Sequence, residues 1–500
     1  MDKNIEMNPN LLVRYLGKPA SDLTCDDIVR YCRENAVQFI NLHYCGWDGK
    51  LKTLNFVINS VEHLENILRA GERIDGSSLF PFIEAGKSDL YVLPLYRTAF
   101  VNPFANLPTV DLLCSYFDRD GNQFEHSPQY VLQKAHTEFT AVTGLKMQAM
   151  GELEYYVIAD AEELYLTPNQ KGYHESTPFC KFEDLRTEAM KLIAQCGGLI
   201  KYSHSEVGNF TRDGKIYEQN EIEFLTADIE DAANQLVVAK WVMRQLAYQY
   251  GVTLTFAPKI TVGKAGSGMH IHCMFTRNGK PVMTNEGKLT DECRKAIAGY
   301  MVAGTSLPAF GNPHPLSFMR LVPNQEAPTS LCWSFSNRSA LVRVPLGWLK
   351  RIDMAARCNP LEKAHERDFS DKQTFEWRAS DGFANTHLLM AALCCAARHG
   401  FEIPDSLAVA EKTFVDLGIN IHDEKNRAVR DSLEQLPGCC VDSAKELAKD
   451  RAIYTSRGVF SDSMIDYLIE YLTGFRDENL RSRLNADSLL KLVIENIDNG

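Results

Sequence analysis

The sequence predicts an α+β fold, and three patterns support this class. Strand-like runs surround one or two helices in the first 125 residues, and strands with polar residues at every second position follow between Lys146 and Ala379. The chain after Asn385 is mostly helical by its apolar spacing. Five hundred residues exceed one small core, so we expect two domains, residues 1–125 and 126–500.

The first domain is predicted from alternating apolar patterns and helix-start signals. Thr24 precedes two acids and is a candidate N-cap for a helix over Thr24–Ala36. Val61–Ala70 has helical spacing. Runs rich in β-branched and aromatic residues predict strands at Val37–His43, Leu51–Ile58, Ser88–Tyr96 and Thr109–Phe117.

The second domain is predicted to begin with an amphipathic helix over Ser127–Thr143. A strand over Lys146–Ala159 follows, and acids in the first turn and a glycine at the end delimit a helix over Asp228–Gly251. Further helices are expected at His387–Arg398 and Ser463–Gly474.

Composition excludes several classes of protein. Apolar residues make up 45% and charged residues 24% of the chain, as in ordinary globular proteins. The net charge of −12 argues against a nucleic-acid-binding surface. The longest apolar run, Leu388–Ala397, is too short to cross a membrane, and the amino terminus has no apolar signal segment. The fourteen cysteines are scattered without zinc-type spacing, so we expect reduced thiols and a cytoplasmic protein.

The stretch Ala265–Phe275, AGSGMHIHCMF, carries the first chemical signal. Gly266 and Gly268 let the backbone pass close to a ligand. In the strand that follows, His270 and His272 point to one face because side chains alternate with period two. A glycine-rich turn that delivers imidazoles suits a metal or a phosphate.

Acidic residues in strand-like settings strengthen this signal. The acids concerned are Glu152, Glu154, Glu206, Glu221 and Glu376. Clustered carboxylates repel one another unless cations neutralise them, and carboxylates with a single imidazole suit Mg²⁺ or Mn²⁺ better than zinc or copper. With His270 they supply enough ligands for two ions.

Several arginines accompany these acids, among them Arg338, Arg343 and Arg378. Two ions and several arginines can hold a triphosphate during phosphoryl transfer. The sequence has neither a Walker lysine motif nor the glycine-loop set of protein kinases. From the residues alone we predict a metal-dependent phosphoryl-transfer enzyme.

Six motifs in order resemble the bacterial dodecameric type of the glutamine synthetase family. They are GELEYY, HSEV with QNEIEF, GSGMHIH, FMRLVPNQEAP, NRSALVRVP and FEWR. The resemblance implies a β-grasp amino-terminal domain and a catalytic domain whose antiparallel strands form a funnel flanked by helices. It also implies a cytoplasmic homo-oligomer, most simply a dodecamer, with active sites between subunits.

The resemblance also implies a reaction and a set of residues. The reaction is ATP-dependent ligation of ammonia to glutamate through γ-glutamyl phosphate. Carried over by motif, the first metal is held by Glu154, Glu206 and Glu221, and the second by Glu152, His270 and Glu376. Gly266, Arg320 and Arg378 resemble glutamate-binding residues, and Arg338 and Arg343 resemble those that stabilise the transferring phosphoryl group. Glu326 resembles a flap acid that takes a proton from the incoming ammonium.

Four departures from the family pattern leave alternatives open. Gly46 stands where the family has an ammonium-binding Asp, Ala265 replaces an Asn, and Thr374 replaces an Arg. An insert, roughly GNFTRDGKIY, separates Glu206 from Glu221. The alternatives are a related ligase that joins glutamate to an amine, and a catalytically silent structural relative.

Overall fold

A computed structural model of the protein confirms the α+β class. It contains a six-stranded sheet, a ten-stranded sheet and helices that pack on them. The structure describes residues 3–323, 325, 327–347, 354–363, 372–483, 485–497 and 499–500. The elements predicted above are found within about two residues at each end, except that the helix predicted at His387–Arg398 spans Thr386–Glu402.

The N-terminal sheet contains the strands of the first 125 residues. Their spatial order is Leu51–Val57, Phe39–Cys45, Thr109–Phe117, Asp89–Pro94 and Glu72–Asp75, with Phe100–Val101 paired to Thr109–Phe117. Phe39–Cys45 runs parallel to Thr109–Phe117, whereas the other pairs are antiparallel. Helices Cys25–Glu34 and Val61–Ala70 pack on this sheet through buried Ile28 and Leu64. Thr24 caps the first of them in a reciprocal capping box with Asp27.

The large sheet carries the predicted chemical residues. Its spatial order is Trp333–Phe335, Val342–Val344, Phe375–Trp377, Met269–Arg277, Lys146–Asp160, Lys215–Phe224 and Ile200–Arg212. Short strands Ala227–Asp228, Thr253–Thr255 and Lys280–Pro281 pair along it, and Thr284–Asn285 pairs with Lys288–Leu289 separately. The pairing is antiparallel except between Trp333–Phe335 and Val342–Val344, which are parallel.

The insert between Glu206 and Glu221 lengthens a β-hairpin. Strands Ile200–Arg212 and Lys215–Phe224 are joined by Asp213 and Gly214, whose φ angles are 51° and 75°. Two positive φ values are what a tight turn between twisted antiparallel strands requires, and Asp-Gly is a favoured pair for it. The insert therefore extends existing strands rather than adding a new element.

Helices cover the large sheet. The longer ones are Pro128–Thr143, Glu183–Gln195, Ile229–Tyr250, Asp291–Val302, Thr386–Glu402, Ser406–Lys412, Cys440–Lys449, Asp462–Gly474 and Ala486–Glu495. The shorter ones are Pro308–Gly311, Pro315–Arg320, Met354–Cys358, Arg427–Ser432, Arg451–Thr455 and Leu480–Arg483. Helices Lys3–Glu6 and Leu11–Leu16 precede the N-terminal sheet, and Leu12 and Leu16 belong to its apolar cluster. Within the described part of the chain, none of these helices has both the length and the apolar character that crossing a membrane demands.

The side chain of Asn385 links a helix on the large sheet to a turn of the N-terminal sheet. Its Oδ1 accepts a hydrogen bond from Leu388 N (3.3 Å) and so caps helix Thr386–Glu402. Its Nδ2 donates to the carbonyl oxygens of Trp47 (3.0 Å) and Gly46 (3.3 Å), in the turn between the first two strands. The turn of the N-terminal sheet is thus fixed against the start of helix Thr386–Glu402.

Candidate active site

Three rows of polar side chains cross the large sheet. Strand register places Glu154 beside Glu221, and Glu221 beside His204. The next row is His270, Glu152, Glu223 and Tyr202, and the third is Arg343, Glu376 and His272. These residues line one cavity of about 620 Å³, called the larger cavity below. The period-two spacing thus places acids from distant segments on one wall.

The structure brings together the residues expected to hold the second metal. One donor atom each from Glu152, His270 and Glu376 lies within 4.8 Å of the others. His270 Nδ1 is 3.1 Å from Glu152 Oε2 and 3.4 Å from Glu376 Oε1. Their donor set, two carboxylates and an imidazole, suits a divalent cation.

The residues expected to hold the first metal are only partly together. Glu206 and Glu221 form a donor group with His204, again within 4.8 Å. Glu154 lies beside this group, but its Oε2 accepts hydrogen bonds from Gly268 N (2.8 Å) and Gln219 Nε2 (3.1 Å). In this structure Glu154 therefore braces the glycine-rich turn.

Electrostatics distinguish Glu221 from the other acids of the site. Burial and the charges of Glu152, Glu154 and Glu206 raise the pKa of Glu221 well above its usual value. Burial alone would also raise the pKa of Glu152, but His272 and His270 hold it well below its usual value. A cation beside Glu221 would relieve the repulsion that raises its pKa.

Arginines next to Glu376 also border the larger cavity. Arg343 Nη1 donates to Glu376 Oε2 (2.8 Å), and Arg378 Nε donates to Glu376 Oε1 (2.9 Å). Arg338 also lines the cavity, and its carbonyl oxygen accepts a hydrogen bond from Arg378. Guanidinium groups in this position can bind phosphate oxygens in pairs.

A smaller cavity of about 280 Å³ contains the residues expected to bind glutamate. Gly266, Arg320 and Arg378 line it. Arg320 is 3% exposed, and its Nη2 lies 3.0 Å from His270 Nε2. A Cβ atom at Gly266 would lie 2.5 Å from Pro258 O, so the close backbone approach requires glycine.

The two cavities meet at shared residues. Glu154, Glu206, His270 and Arg378 line both. A carboxylate in the smaller cavity and a phosphate in the larger one would therefore approach each other at this junction. Glu326, expected to act as the flap acid, lies outside the described residues.

Three residues for which no role was predicted lie in the site. His204, Glu223 and His272 all contribute to candidate metal groups. The signal was present, since each is two positions from a predicted ligand on the same strand. Thr374, one of the departures, is positioned so that its Oγ1 lies 2.9 Å from His272 Nδ1.

Comparison with known proteins identifies the same family along most of the chain. The model of the glutamine synthetase catalytic domain matches residues 125–478, and that of the glutamine synthetase β-grasp domain matches residues 36–119. The predicted β-grasp amino-terminal fold is thereby confirmed.

Individual relatives agree with these matches. A glutamine synthetase of Microchaete diplosiphon is 28% identical over 481 residues, which cover 90% of this chain and 94% of the relative. A glutamine synthetase of Thermotoga maritima is 29% identical, with coverages of 87% and 92%.

Solved structures share the fold at lower identity. A cryo-EM structure of Plasmodium falciparum glutamine synthetase superposes with a TM-score of 0.75 at 19% identity, covering 94% of this chain and 98% of that one. A structure titled as a GmaS/ADP complex superposes with a TM-score of 0.73 at 17% identity, covering 93% and 99%. At these identities the likeness concerns the fold.

Proposed function

Because the chain belongs to the glutamine synthetase family of ligases, we propose that it joins ammonia to the γ-carboxyl of L-glutamate, with ATP as the energy source and γ-glutamyl phosphate as the intermediate. The observation that carries this proposal is the junction of the two cavities at Glu154, Glu206, His270 and Arg378. An acyl phosphate forms only where a carboxylate and a phosphoryl group meet with their charges neutralised.

Glutamate is proposed to occupy the smaller cavity. Arg320 and Arg378 supply guanidinium groups for its carboxylates, and Gly266 gives the space for its backbone. Burial of Arg320 and Arg378, at 3% exposure each, strengthens such charge-assisted contacts because little water competes for them.

ATP is proposed to place its phosphates in the larger cavity, against Arg338 and Arg343. These two arginines would stabilise the charge on the transferring phosphoryl group. Arg343 is already oriented by Glu376 at 2.8 Å, so its guanidinium is partly pre-organised.

Two Mg²⁺ or Mn²⁺ ions fit the acids of the site, as the raised pKa of Glu221 indicates. Glu154, Glu206 and Glu221 would hold the first ion, and Glu152, His270 and Glu376 the second. Bound there, the ions would neutralise phosphate charge and polarise the phosphoryl group.

The incoming nitrogen would lose its proton to Glu326 in the proposed reaction. This role rests on the position of Glu326 in the NQEAP motif. A loop closing over the junction would also keep water from hydrolysing the acyl phosphate.

The assembly is proposed to be a dodecamer whose active sites lie between subunits. Each chain is proposed to consist of two domains, residues 1–125 and 126–500. Most apolar residues of the N-terminal sheet form a cluster of their own, which supports the division, while Phe100 and Leu113 join the cluster around the large sheet. The enzyme is proposed to be cytoplasmic and to serve nitrogen metabolism, as the family resemblance implies.

A second candidate, ligation of an alkylamine to glutamate, is favoured by the turn that holds Gly46. Gly46 offers no carboxylate where the family has one, and the nearby Asp48 is paired with Lys52 at 2.6 Å. A site without a free acid binds ammonium less well and discriminates less against uncharged or bulkier nucleophiles. The alternative of a silent relative conflicts with the complete set of acids and arginines.

A scan of nitrogen donors tests these candidates. Purified protein with ATP, glutamate and Mg²⁺ or Mn²⁺ is given ammonium, methylamine, ethanolamine or putrescine, and product masses and released phosphate are measured. Highest kcat/KM with ammonium supports the first candidate, and preference for an amine supports the second. A chain that yields no product above the Glu221→Ala control with any donor would contradict both.

A further inference from the structure

The glycine-rich turn that begins at Ala265 is held by side chains from other segments. Ala265 N donates a hydrogen bond to Gln170 Oε1 (2.7 Å), and Ala265 O accepts one from the Tyr156 hydroxyl (2.9 Å). Gly266 O accepts one from Gln219 Nε2 (2.9 Å). Ala265 and Gly266 both line the smaller cavity, so these contacts fix part of its wall.

The hairpin insert contacts the same two glutamines through its first two residues. Gly208 N donates to Gln219 Oε1 (3.0 Å), and a Cβ atom at Gly208 would lie 2.5 Å from that oxygen, so the close approach requires glycine. Asn209 O accepts hydrogen bonds from Gln170 N (2.9 Å) and from Gln170 Nε2 (3.3 Å). Each side-chain amide therefore binds the insert at one end and the glycine-rich turn at the other.

Gln170 reaches the turn from the segment between strand Lys146–Asp160 and helix Glu183–Gln195. Its φ angle of 58° is costly for a residue with a side chain, and such a conformation persists only where the surrounding contacts hold it. Ala265, one of the departures from the family pattern, brings no hydrogen-bonding side chain to the turn. Gln170 brings an amide to the same residue from elsewhere in the chain.

We propose that Gln170 and Gln219 are positioning residues for the amino-acid substrate, through which the insert holds the wall of the smaller cavity. The inference rests on the proposed function in that glutamate occupies this cavity. A wall that is fixed before the substrate arrives needs less ordering during binding, which favours affinity. Gln219 also donates to Glu154 Oε2 (3.1 Å), a proposed metal ligand, so Gln170 provides the cleaner test.

Gln170→Met tests the inference because methionine has a similar length but no amide. It should raise the KM for glutamate about fivefold, the usual effect of losing one neutral hydrogen bond, and leave kcat and the KM for ATP within about twofold of wild type. Lys171→Met is the matched control, since it introduces the same side chain at the next, exposed position. Its KM for glutamate should equal that of wild type.

Titration calorimetry with L-glutamate and MgCl₂ measures the effect without turnover. Gln170→Met should bind glutamate about fivefold more weakly than wild type, and Lys171→Met equally well. Equal affinity in Gln170→Met and wild type, or a lower kcat at unchanged KM, would overturn the inference and leave the proposed function intact. An equal loss in Lys171→Met would also overturn it.

Failure of the proposed function has a different signature. If wild type binds glutamate but forms no amide with any nitrogen donor, the proposed function fails while the measured affinities still decide the role of Gln170. If wild type binds no glutamate, both are overturned.

Discussion

His387 makes the stability of this protein sensitive to acid. It lies in the first turn of helix Thr386–Glu402, is 2% exposed, and its Nε2 lies 2.9 Å from Asn234 Oδ1. Burial and the neighbouring Lys240 lower the pKa of His387 to about 3. A positive charge there would also oppose the positive end of the helix.

The sign and size of the effect follow from the two pKa values. The unfolded chain takes up a proton at His387 near its ordinary pKa of about 6.5, whereas the folded chain does so only near 3. Stability from this group is therefore fully present above about pH 6.5 and is lost progressively as the pH falls toward 3. At pH 5 the loss is about 2 kcal/mol, from roughly 1.5 pH units at about 1.36 kcal/mol each.

Urea unfolding at pH 7.5 and pH 5.0 measures this loss. His387→Gln retains a donor for Asn234 but cannot take up a proton, so its stability should fall by about 2 kcal/mol less than that of wild type between the two pH values. Other titrating groups, His314 among them, cancel in this comparison because both proteins contain them. An equal fall in wild type and His387→Gln would refute the reasoning.

Three further predictions concern the site and the assembly. Glu221→Ala removes a proposed metal ligand and should abolish turnover; retention of more than about a tenth of wild-type activity, roughly 1.4 kcal/mol of barrier, would contradict the assignment. Glu326→Ala should slow amide formation by about 10²–10⁴-fold while ATP hydrolysis rises relative to product; phosphate and glutamine assayed together in a fixed one-to-one ratio would show that Glu326 is not the base. Light scattering should find a ring-forming oligomer of about twelve chains, and a fully active monomer near 56.4 kDa would exclude sites shared between subunits.

Local signals predicted much of the fold. Thr24 could be identified as a helix cap because a hydroxyl followed three residues later by an acid has a specific geometric use, and the structure shows that use. The Asp213–Gly214 pair within the insert is also a favoured hairpin turn, although no hairpin was predicted there. The parallel pairing of Trp333–Phe335 with Val342–Val344 carried none, because the residues between them do not form the helix that commonly joins parallel strands.

The residue types of the site could be predicted from the sequence, but which side chains lie next to one another could be predicted only in part. Period-two spacing indicates that Glu221 and Glu223 share a face, but only strand register shows that Glu223 lies beside Glu152. Register likewise places His204 beside Glu221 and His272 beside Glu376. Glu154 accepts hydrogen bonds from Gly268 N and Gln219 Nε2, which belong to segments far along the chain. A local sequence pattern cannot predict such contacts.

The double use of Asn385 has an evolutionary consequence. A mutation there removes a helix cap and loosens the turn at Gly46 and Trp47 at once. A change of sequence in this turn therefore has to leave the carbonyl groups of Gly46 and Trp47 within reach of Asn385 for these hydrogen bonds to persist. Asn385 contacts the turn through main-chain carbonyl groups, so a substitution at Asp48 leaves the acceptors of both hydrogen bonds in place. Under the proposed function, Gly46 and Asp48 are thus positions where the choice of nitrogen donor can change while the hydrogen bonds of Asn385 remain.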